Sequence, residues 1–219
     1  MNIKKLFIFF IVLAIPFISL LGAFRLTVFN MYFYEEQFNK YEPHIENAVD
    51  ITADMLYFLK NNEAGKEYIS DFNAEEQEHL VEVRQVIRES LLVFYAAIAI
   101  AIISLVSLYF ADKKGFITNS GFAFFNGGLF SAVLITLFLL LVLFGFDSIF
   151  SYFHQILFTT TWQFPSDYLL VTLLPIKFFT GITTKIIFGA YAASALFLIT
   201  GFYFANKEKY LNKFAKSKK

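Results

Sequence analysis

The chain has 219 residues, of which 58% are hydrophobic and 16% are charged. Soluble domains contain about 45–50% apolar and about 25% charged residues, so a single water-soluble core cannot bury this much apolar surface. The sequence has no cysteine, which excludes disulfides and thiol chemistry, and its net charge of zero argues against nucleic-acid binding. The composition predicts an all-α integral membrane protein.

Four apolar stretches are each long enough, at about 20 residues, to cross a bilayer as a helix. In chain order they cover residues 6–24, 91–110, 122–144 and 185–204. Backbone polar groups must be paired within lipid, and these stretches are therefore predicted to be helical. The first stretch also has features of a cleaved signal peptide. Its 19 uncharged residues exceed the usual apolar core of about 7–15 residues, so we expect a retained span.

The charges between the spans predict the orientation of the chain. The two termini and the loop of residues 111–121 hold ten basic and two acidic residues, whereas the rest of the chain holds eight basic and sixteen acidic ones. Because basic residues favour the cytoplasmic side, both termini and this loop are expected to be cytoplasmic. The segments 25–90 and 145–184 are then extracytoplasmic. We expect one multi-pass domain, residues 1–219, in the cell membrane.

The first outer segment, residues 25–90, is predicted to be helical. Apolar residues recur every three or four positions in residues 48–59, and residues 61–65 carry a turn signal. Asn73 and Glu76 have the spacing of a capping box, which predicts a helix that begins at residue 74. We expect this helix to continue directly into the second span.

The second outer segment, residues 145–184, is rich in aromatic residues, which favour the membrane–water interface. Pro165 and Pro175 are expected to break any continuous helix through it. The run LLVTLLPIKFF, residues 169–179, is predicted to form one short apolar helix at the membrane surface. This interfacial segment is expected to pack over the mouth of the bundle.

The three histidines, His44, His79 and His154, all fall in the segments predicted to lie outside. Histidine titrates near neutrality, which makes these residues the candidates for proton transfer. Glu82 lies three residues after His79, and Glu75 lies four residues before it, on the same helical face. A carboxylate there can orient the imidazole ring. His44 is expected to be structural or solvent-facing.

Both remaining histidines also fit a structural interpretation. His79 can be a solvated side chain on an acidic helix, and His154 can be a polar tip at the membrane surface. The chain has no H-E-x-x-H or H-x-H spacing, so we predict no metal site. It also has no G-x-S-x-G nucleophile motif.

Two motifs resemble those of lipoprotein intramolecular transacylases. The run FNAEEQEHLVEV, residues 72–83, is similar to the F-N-x-x-E-x-x-H-L-x-D-V segment of that family. Residues 152–179 are similar to its second motif, with a histidine among aromatics, a tryptophan, an aspartate and a Leu-Pro before a Phe pair. Glu82 stands where the family usually has aspartate, and Ile176 replaces the acidic residue that commonly follows the proline.

The resemblance implies a specific reaction. Such enzymes act on a bacterial lipoprotein whose N-terminal cysteine carries an S-diacylglyceryl group. They move the sn-2 acyl chain from the glycerol oxygen to the cysteine α-amino group, which leaves the lyso form. The diacylglyceryl-modified lipoprotein and membrane lipid are the implied partners, and no cofactor is needed.

For this chemistry we expect His79 and His154 to be the catalytic residues. His79 is expected to be the base, and His154 to polarise the ester carbonyl or to protonate the leaving oxygen, although the two roles can be exchanged. Glu82 and Asp167 are expected to orient the histidines.

Aromatic side chains are expected to exclude water from this site, at the outer membrane interface. We expect Trp162, Phe153 and Phe158 to contact the substrate lipid. Together with Phe150 and Phe164 they are expected to line the mouth of the site, since water that enters would hydrolyse the ester.

Two other functions remain open from the residues alone. The same histidines can serve another membrane-embedded lipid acyltransferase or hydrolase, which would act on free lipid or release fatty acid. A non-enzymatic membrane assembly factor also fits the composition. A transporter is disfavoured, because the four spans hold essentially no ionisable residues.

Overall fold

The computed structural model describes residues 3–41, 43 and 45–217, with residues 208–217 described by their backbone alone. The prediction for His44 therefore lies outside the described residues. Helices account for most of the described chain. In order they are α1 (Ile3–Val28), α2 (Met31–Tyr41), α3 (Ala48–Lys60), a 3₁₀ helix (Lys66–Ile69), α4 (Ala74–Ala111), α5 (Phe116–Leu157), α6 (Leu169–Leu173) and α7 (Ile176–Ser217).

Four of these helices, α1, α4, α5 and α7, are long and apolar enough to cross a membrane. Large apolar side chains point outward along them: Ile103 is 64% exposed, Phe110 70%, Phe188 69% and Leu196 66%. Such exposure would be costly in water but is expected where lipid covers the surface. The prediction of an all-α membrane protein with four spans is confirmed.

The described chain divides into two compact units. The span unit contains residues 3–23, 92–140 and 187–217, and the site unit contains residues 24–91 and 141–186. Each of the four long helices contributes residues to both units. The prediction that residues 1–219 form a single membrane domain stays a prediction.

Glycines bring α5 and α7 into backbone contact within the span unit. A Cβ atom on Gly201 would lie 2.3 Å from the backbone nitrogen of Phe125 and 2.8 Å from the carbonyl oxygen of Gly121. A Cβ atom on Gly121 would lie 2.3 Å from the backbone nitrogen of Ala205. Small residues commonly allow this close approach between helices in membranes.

The site unit contains the predicted capping box and the helix that follows it. The Asn73 side-chain oxygen accepts the backbone N–H of Glu76 at 3.1 Å, and the Glu76 carboxylate accepts the backbone N–H of Asn73 at 2.9 Å. From this cap α4 runs without interruption to Ala111. Residues 48–60 form the predicted helix α3. These three local predictions are confirmed.

The structure extends the third predicted span, which was expected to end at residue 144. Helix α5 bends at Gly145, the one residue with non-helical dihedral angles, and then continues to Leu157. One non-helical residue kinks a helix without ending it.

The single surface helix predicted for residues 169–179 is also wrong. Leu174 leaves the helical conformation, so α6 ends at Leu173 and Ile176 begins α7. Proline disfavours the helical conformation in the residue before it, and its lack of an N–H does no harm just ahead of a new helix.

Candidate active site

Helices α4 and α5 bring His79 and His154 together, although 75 residues separate them in sequence. His79 lies near the start of α4, ahead of the apolar part of that helix, and His154 lies in the last turn of α5, beyond the Gly145 bend. Their ring centroids are 6.0 Å apart and the ring planes differ by 20°. Both side chains are buried, with 6% and 7% exposed. The two histidines therefore form a stacked, buried pair.

Aromatic rings enclose this pair. Phe158 packs against both histidines, with its ring centroid 4.7 Å from that of His79 and 5.1 Å from that of His154. The other contacts, between ring centroids, are Phe150–His154 at 4.1 Å, Trp162–His154 at 4.9 Å, Phe153–His154 at 5.6 Å and Phe164–His79 at 5.6 Å. We call these five rings the aromatic enclosure. Phe153 is its most open member, with 48% of its surface exposed.

A backbone hydrogen bond sets the proton position on His154. The distance from Nδ1 to the carbonyl oxygen of Phe150 is 2.7 Å, and a carbonyl oxygen only accepts, so Nδ1 carries the hydrogen. In the neutral ring Nε2 is then the acceptor. Burial lowers the pKa of His154, and the bond to Phe150 opposes this in part. His154 is therefore a neutral ring with an available lone pair near pH 7.

The His79 ring is held in a different way. Its Nδ1 atom is buried and has no hydrogen-bond partner among the described residues. Burial first, and then the neighbouring His154, lower the pKa of His79 to about 4, and the negative charge of Glu82 opposes them only in part. His79 is therefore also neutral near pH 7.

Glu82 contacts a segment that the sequence analysis did not connect to it. Its carboxylate accepts the backbone N–H groups of Thr159 and Thr160, each at 3.1 Å, and both of their hydroxyl groups. Partial burial raises the pKa of Glu82, but these hydrogen bonds outweigh that effect and lower the pKa to about 2. The expectation that Glu82 orients the His79 ring stays a prediction, and the hydrogen bonds of its carboxylate are made to Thr159 and Thr160.

Asp167 lies on an exposed turn, and its carboxylate makes no hydrogen bond or ion pair within the part of the chain that the structure describes. Its predicted orienting role therefore has no contact to support it. Across the described ranges, no three His, Asp or Glu side chains lie close enough together to hold a metal ion.

Glu76 has a second role that its sequence pattern did not indicate. This side chain is only 1% exposed, and its Oε1 accepts the backbone N–H of Leu170 at 2.7 Å, while Oε2 closes the capping box. The capping box accounts for one oxygen only. Nothing in the local spacing indicated that the other oxygen accepts the backbone N–H of Leu170, the second residue of α6.

The fold is shared with solved structures. The membrane integral lipoprotein intramolecular transacylase Lit from Bacillus cereus is similar with a TM-score of 0.82 and 18% identity, over 94% of this chain and 97% of that chain. Two structures of that protein with one histidine replaced, by arginine or by alanine, each give a TM-score of 0.78 at 18% identity. They cover 94% of this chain and 93% and 95% of theirs. At this identity the likeness shows the fold.

The family relationship is shown by the amino-acid sequence. No curated protein matches the chain. The family described as "Lipoprotein intramolecular transacylase Lit" matches residues 8–179, well over half of the chain. The chain therefore belongs to the lipoprotein intramolecular transacylase Lit family and is an acyltransferase.

Proposed function

We propose that this protein moves the sn-2 acyl chain of an S-diacylglyceryl-cysteine lipoprotein onto the α-amino group of that cysteine, with His79 and His154 as the catalytic residues. The observation that carries the proposal is the stacked histidine pair inside the aromatic enclosure. Family membership supports the substrate class. The buried pair supports acid–base catalysis, because two neutral imidazoles can accept and donate protons near pH 7.

The hydrogen bond of His154 favours this residue as the base. Its Nδ1–H group points at the Phe150 carbonyl, which leaves Nε2 to take a proton from the attacking amine. The same bond stabilises the imidazolium that forms. A free α-amino group has a pKa of about 7.7–8.0, so a substantial part of it is neutral and nucleophilic near pH 8. Of the two role assignments, the geometry supports the one in which His154 accepts the proton.

His79 is then the residue that donates a hydrogen bond to the ester carbonyl oxygen. A buried nitrogen without a partner is less unfavourable as an acceptor than as a donor, so the proton of the neutral ring resides on Nε2 rather than on the buried Nδ1. Nε2–H can donate to the carbonyl oxygen as negative charge develops there. One such donor contributes about 10²–10³-fold to the rate of acyl transfer.

The reaction balances without any other reactant. The amine nitrogen bonds to the ester carbon, the ester C–O bond breaks, and the proton taken by His154 passes to the leaving glycerol oxygen. Amine and ester belong to one molecule, so the protein mainly has to orient them and exclude water. The aromatic enclosure provides the apolar walls for both tasks.

We further propose that both termini face the cytoplasm and that the site lies at the outer face of the membrane. The charge asymmetry of the sequence supports this orientation. It places the histidines on the side where the lipid-modified cysteine of an exported lipoprotein resides.

Mass spectrometry of a lipoprotein substrate tests the proposed reaction. The chain is expressed with a diacylated lipoprotein in a host that lacks an N-acylating enzyme, and the lipidated N-terminal peptide is fragmented. We expect an unchanged total mass with one acyl chain on the amine. A free amine with both O-acyl chains would contradict the proposal, and free fatty acid with a peptide that has lost one acyl chain would indicate a hydrolase.

The lowered pKa values of the two histidines predict a simple pH profile. Because burial lowers the pKa of His154, its titration moves below the usual 6.5, so between pH 5.5 and 7 the logarithm of the initial rate is expected to rise with a slope nearer 1, from the substrate amine, than 2. Histidines with an ordinary pKa of about 6.5 would instead give a slope that approaches 2 at the acidic end. Initial rates of N-acyl peptide formation across this range distinguish the two results.

The same shifts predict how pH affects stability. The unfolded histidines bind protons below a pH of about 6.5, whereas folded His79 does so only near its lowered pKa of about 4. Unfolding in this window therefore takes up protons. The midpoint of thermal unfolding is expected to fall as the pH falls from 6.5 toward 4, and a constant midpoint would contradict the assigned shift.

A further inference from the structure

An irregular segment crosses the histidine pair. Residues 158–168 connect α5 to α6 without forming a helix, and we call this segment the strap. It carries Phe158, Trp162 and Phe164, three of the five rings of the aromatic enclosure. Fixing the backbone of an irregular segment costs conformational entropy at every residue. The strap therefore needs specific contacts to stay on the histidines.

Glu82 makes the contacts at the first end of the strap. Two backbone N–H groups and two hydroxyl groups, from Thr159 and Thr160, all point at its carboxylate. Hydrogen bonds to an ionised carboxylate are about twice as strong as neutral ones. The pKa of about 2 keeps this carboxylate ionised at any physiological pH.

Glu76 makes the contact at the other end. Its buried carboxylate accepts the N–H of Leu170, two residues after the strap, at 2.7 Å. Tyr168, the last strap residue, directs its hydroxyl group at Glu75 from 3.5 Å. The capping box with Asn73 fixes the Glu76 side chain itself.

The two carboxylates and the catalytic histidine lie on one face of α4. Residues 76, 79 and 82 are spaced three apart, which places them in a row along the helix. Each carboxylate binds backbone groups at one end of the strap, and His79 between them contacts Phe158 and Phe164 of the strap. One rigid helix thus holds both the imidazole and the segment that covers it.

We propose that Glu76 and Glu82 are positioning residues that hold the strap closed over the histidines and thereby favour transfer of the acyl chain to the amine over its loss to water. This inference rests on the proposed function for its chemistry. With the strap released, a water oxygen bonds to the ester carbon, the ester C–O bond breaks, and the glycerol oxygen takes a proton. The products are then a free fatty acid and a lipoprotein without the N-acyl group.

The variant Glu82→Gln tests the proposal with little change in side-chain size. Glutamine has no charge. Its NH₂ group can only donate hydrogen bonds, so it cannot accept the N–H and O–H groups that the second carboxylate oxygen of Glu82 accepts. Because the charged hydrogen bonds to the strap are lost, the ratio of hydrolysed to transferred acyl chain is expected to rise by about 10-fold or more. Mass spectrometry of released fatty acid and of the N-acyl peptide gives this ratio. Glu82→Asp, which retains the charge, is expected to give an intermediate ratio.

Trp162 provides a readout that does not depend on activity. It is the only tryptophan in the chain and it packs on His154 within the strap. Release of the strap is expected to increase the quenching of tryptophan emission by acrylamide. Thr160→Val, which removes one hydroxyl donor and leaves every carboxylate in place, is expected to give a smaller increase and serves if Glu82→Gln does not fold.

Glu78→Gln is the matched control. Glu78 is exposed on the same helix, and no contact joins it to the strap within the described part of the chain. The proposal would be overturned if Glu82→Gln and Thr160→Val both gave the same quenching and the same product ratio as Glu78→Gln. If the wild-type protein transfers no acyl chain while Glu82→Gln still exposes Trp162, then the proposed function fails and the carboxylate anchoring of the strap stands.

Discussion

Replacing His154 by alanine is expected to slow acyl transfer by about 10²- to 10⁴-fold, which is the contribution of a positioned acid–base residue. The imidazole of His154 has its Nδ1 proton committed to the Phe150 carbonyl, so Nε2 is the only ring atom able to accept a proton. Alanine leaves no acceptor there. The initial rate of N-acyl peptide formation in membranes with equal protein content measures the effect.

Glutamine variants separate the roles of the two histidines. An amide can donate a hydrogen bond but cannot take up a proton. His79→Gln is therefore expected to retain more activity than His79→Ala, whereas His154→Gln is expected to be as slow as His154→Ala. The reverse pattern would assign the base to His79. Full activity of both alanine variants, next to the Glu78→Gln control, would contradict histidine catalysis altogether.

Replacing Gly201 by leucine is expected to destabilise the protein by about 3 kcal/mol or more, at the upper end of the overpacking range. The first atom of any side chain at this position meets the backbone of Phe125 at 2.3 Å and that of Gly121 at 2.8 Å. Backbone atoms cannot rotate away as a side chain can. Helices α5 and α7 must therefore separate, and the helix contact within the span unit is lost.

Thermal unfolding in detergent, together with the amount of monodisperse protein, measures this effect. Ala195→Leu is the matched control, because Ala195 lies on the same helix with its side chain exposed. We expect a lower unfolding midpoint and less monodisperse protein for Gly201→Leu only. Equal behaviour of the two variants would show that the helices separate at little cost.

The sequence predicted those parts of the fold that depend on neighbouring residues. Four long apolar runs gave the spans, and Asn73 with Glu76 gave the start of α4. Both signals are local, so no knowledge of packing is needed to use them. The third span was predicted to stop at residue 144 because the sequence does not distinguish a glycine that ends a helix from one that only bends it. Gly145 bends α5, while Pro175 separates α6 from α7.

The candidate site was predictable in its residue types but not in its contacts. His79, His154 and the aromatic rings were identified from their chemistry together with the family resemblance. The contact between the two histidines depends on how α4 and α5 pack, because 75 residues separate them in the chain. Glu82 was predicted to orient the His79 ring because it lies three residues later on the same helix. Helical spacing gives no information about contacts with other elements. The carboxylate binds Thr159 and Thr160, which come from another element. No pattern in the sequence encodes that pairing.

The stacked histidine pair also limits how many protons the site can hold. Two positive charges 6.0 Å apart repel by about 3 kcal/mol at an effective dielectric constant of about 20, so the pair stores a single proton at most. The proposed reaction requires no more than one, borrowed from the amine and returned to the glycerol oxygen. Each turnover thus begins and ends in the same charge state. A site of this kind needs no water wire to the bulk solvent, and it can remain sealed from binding to release.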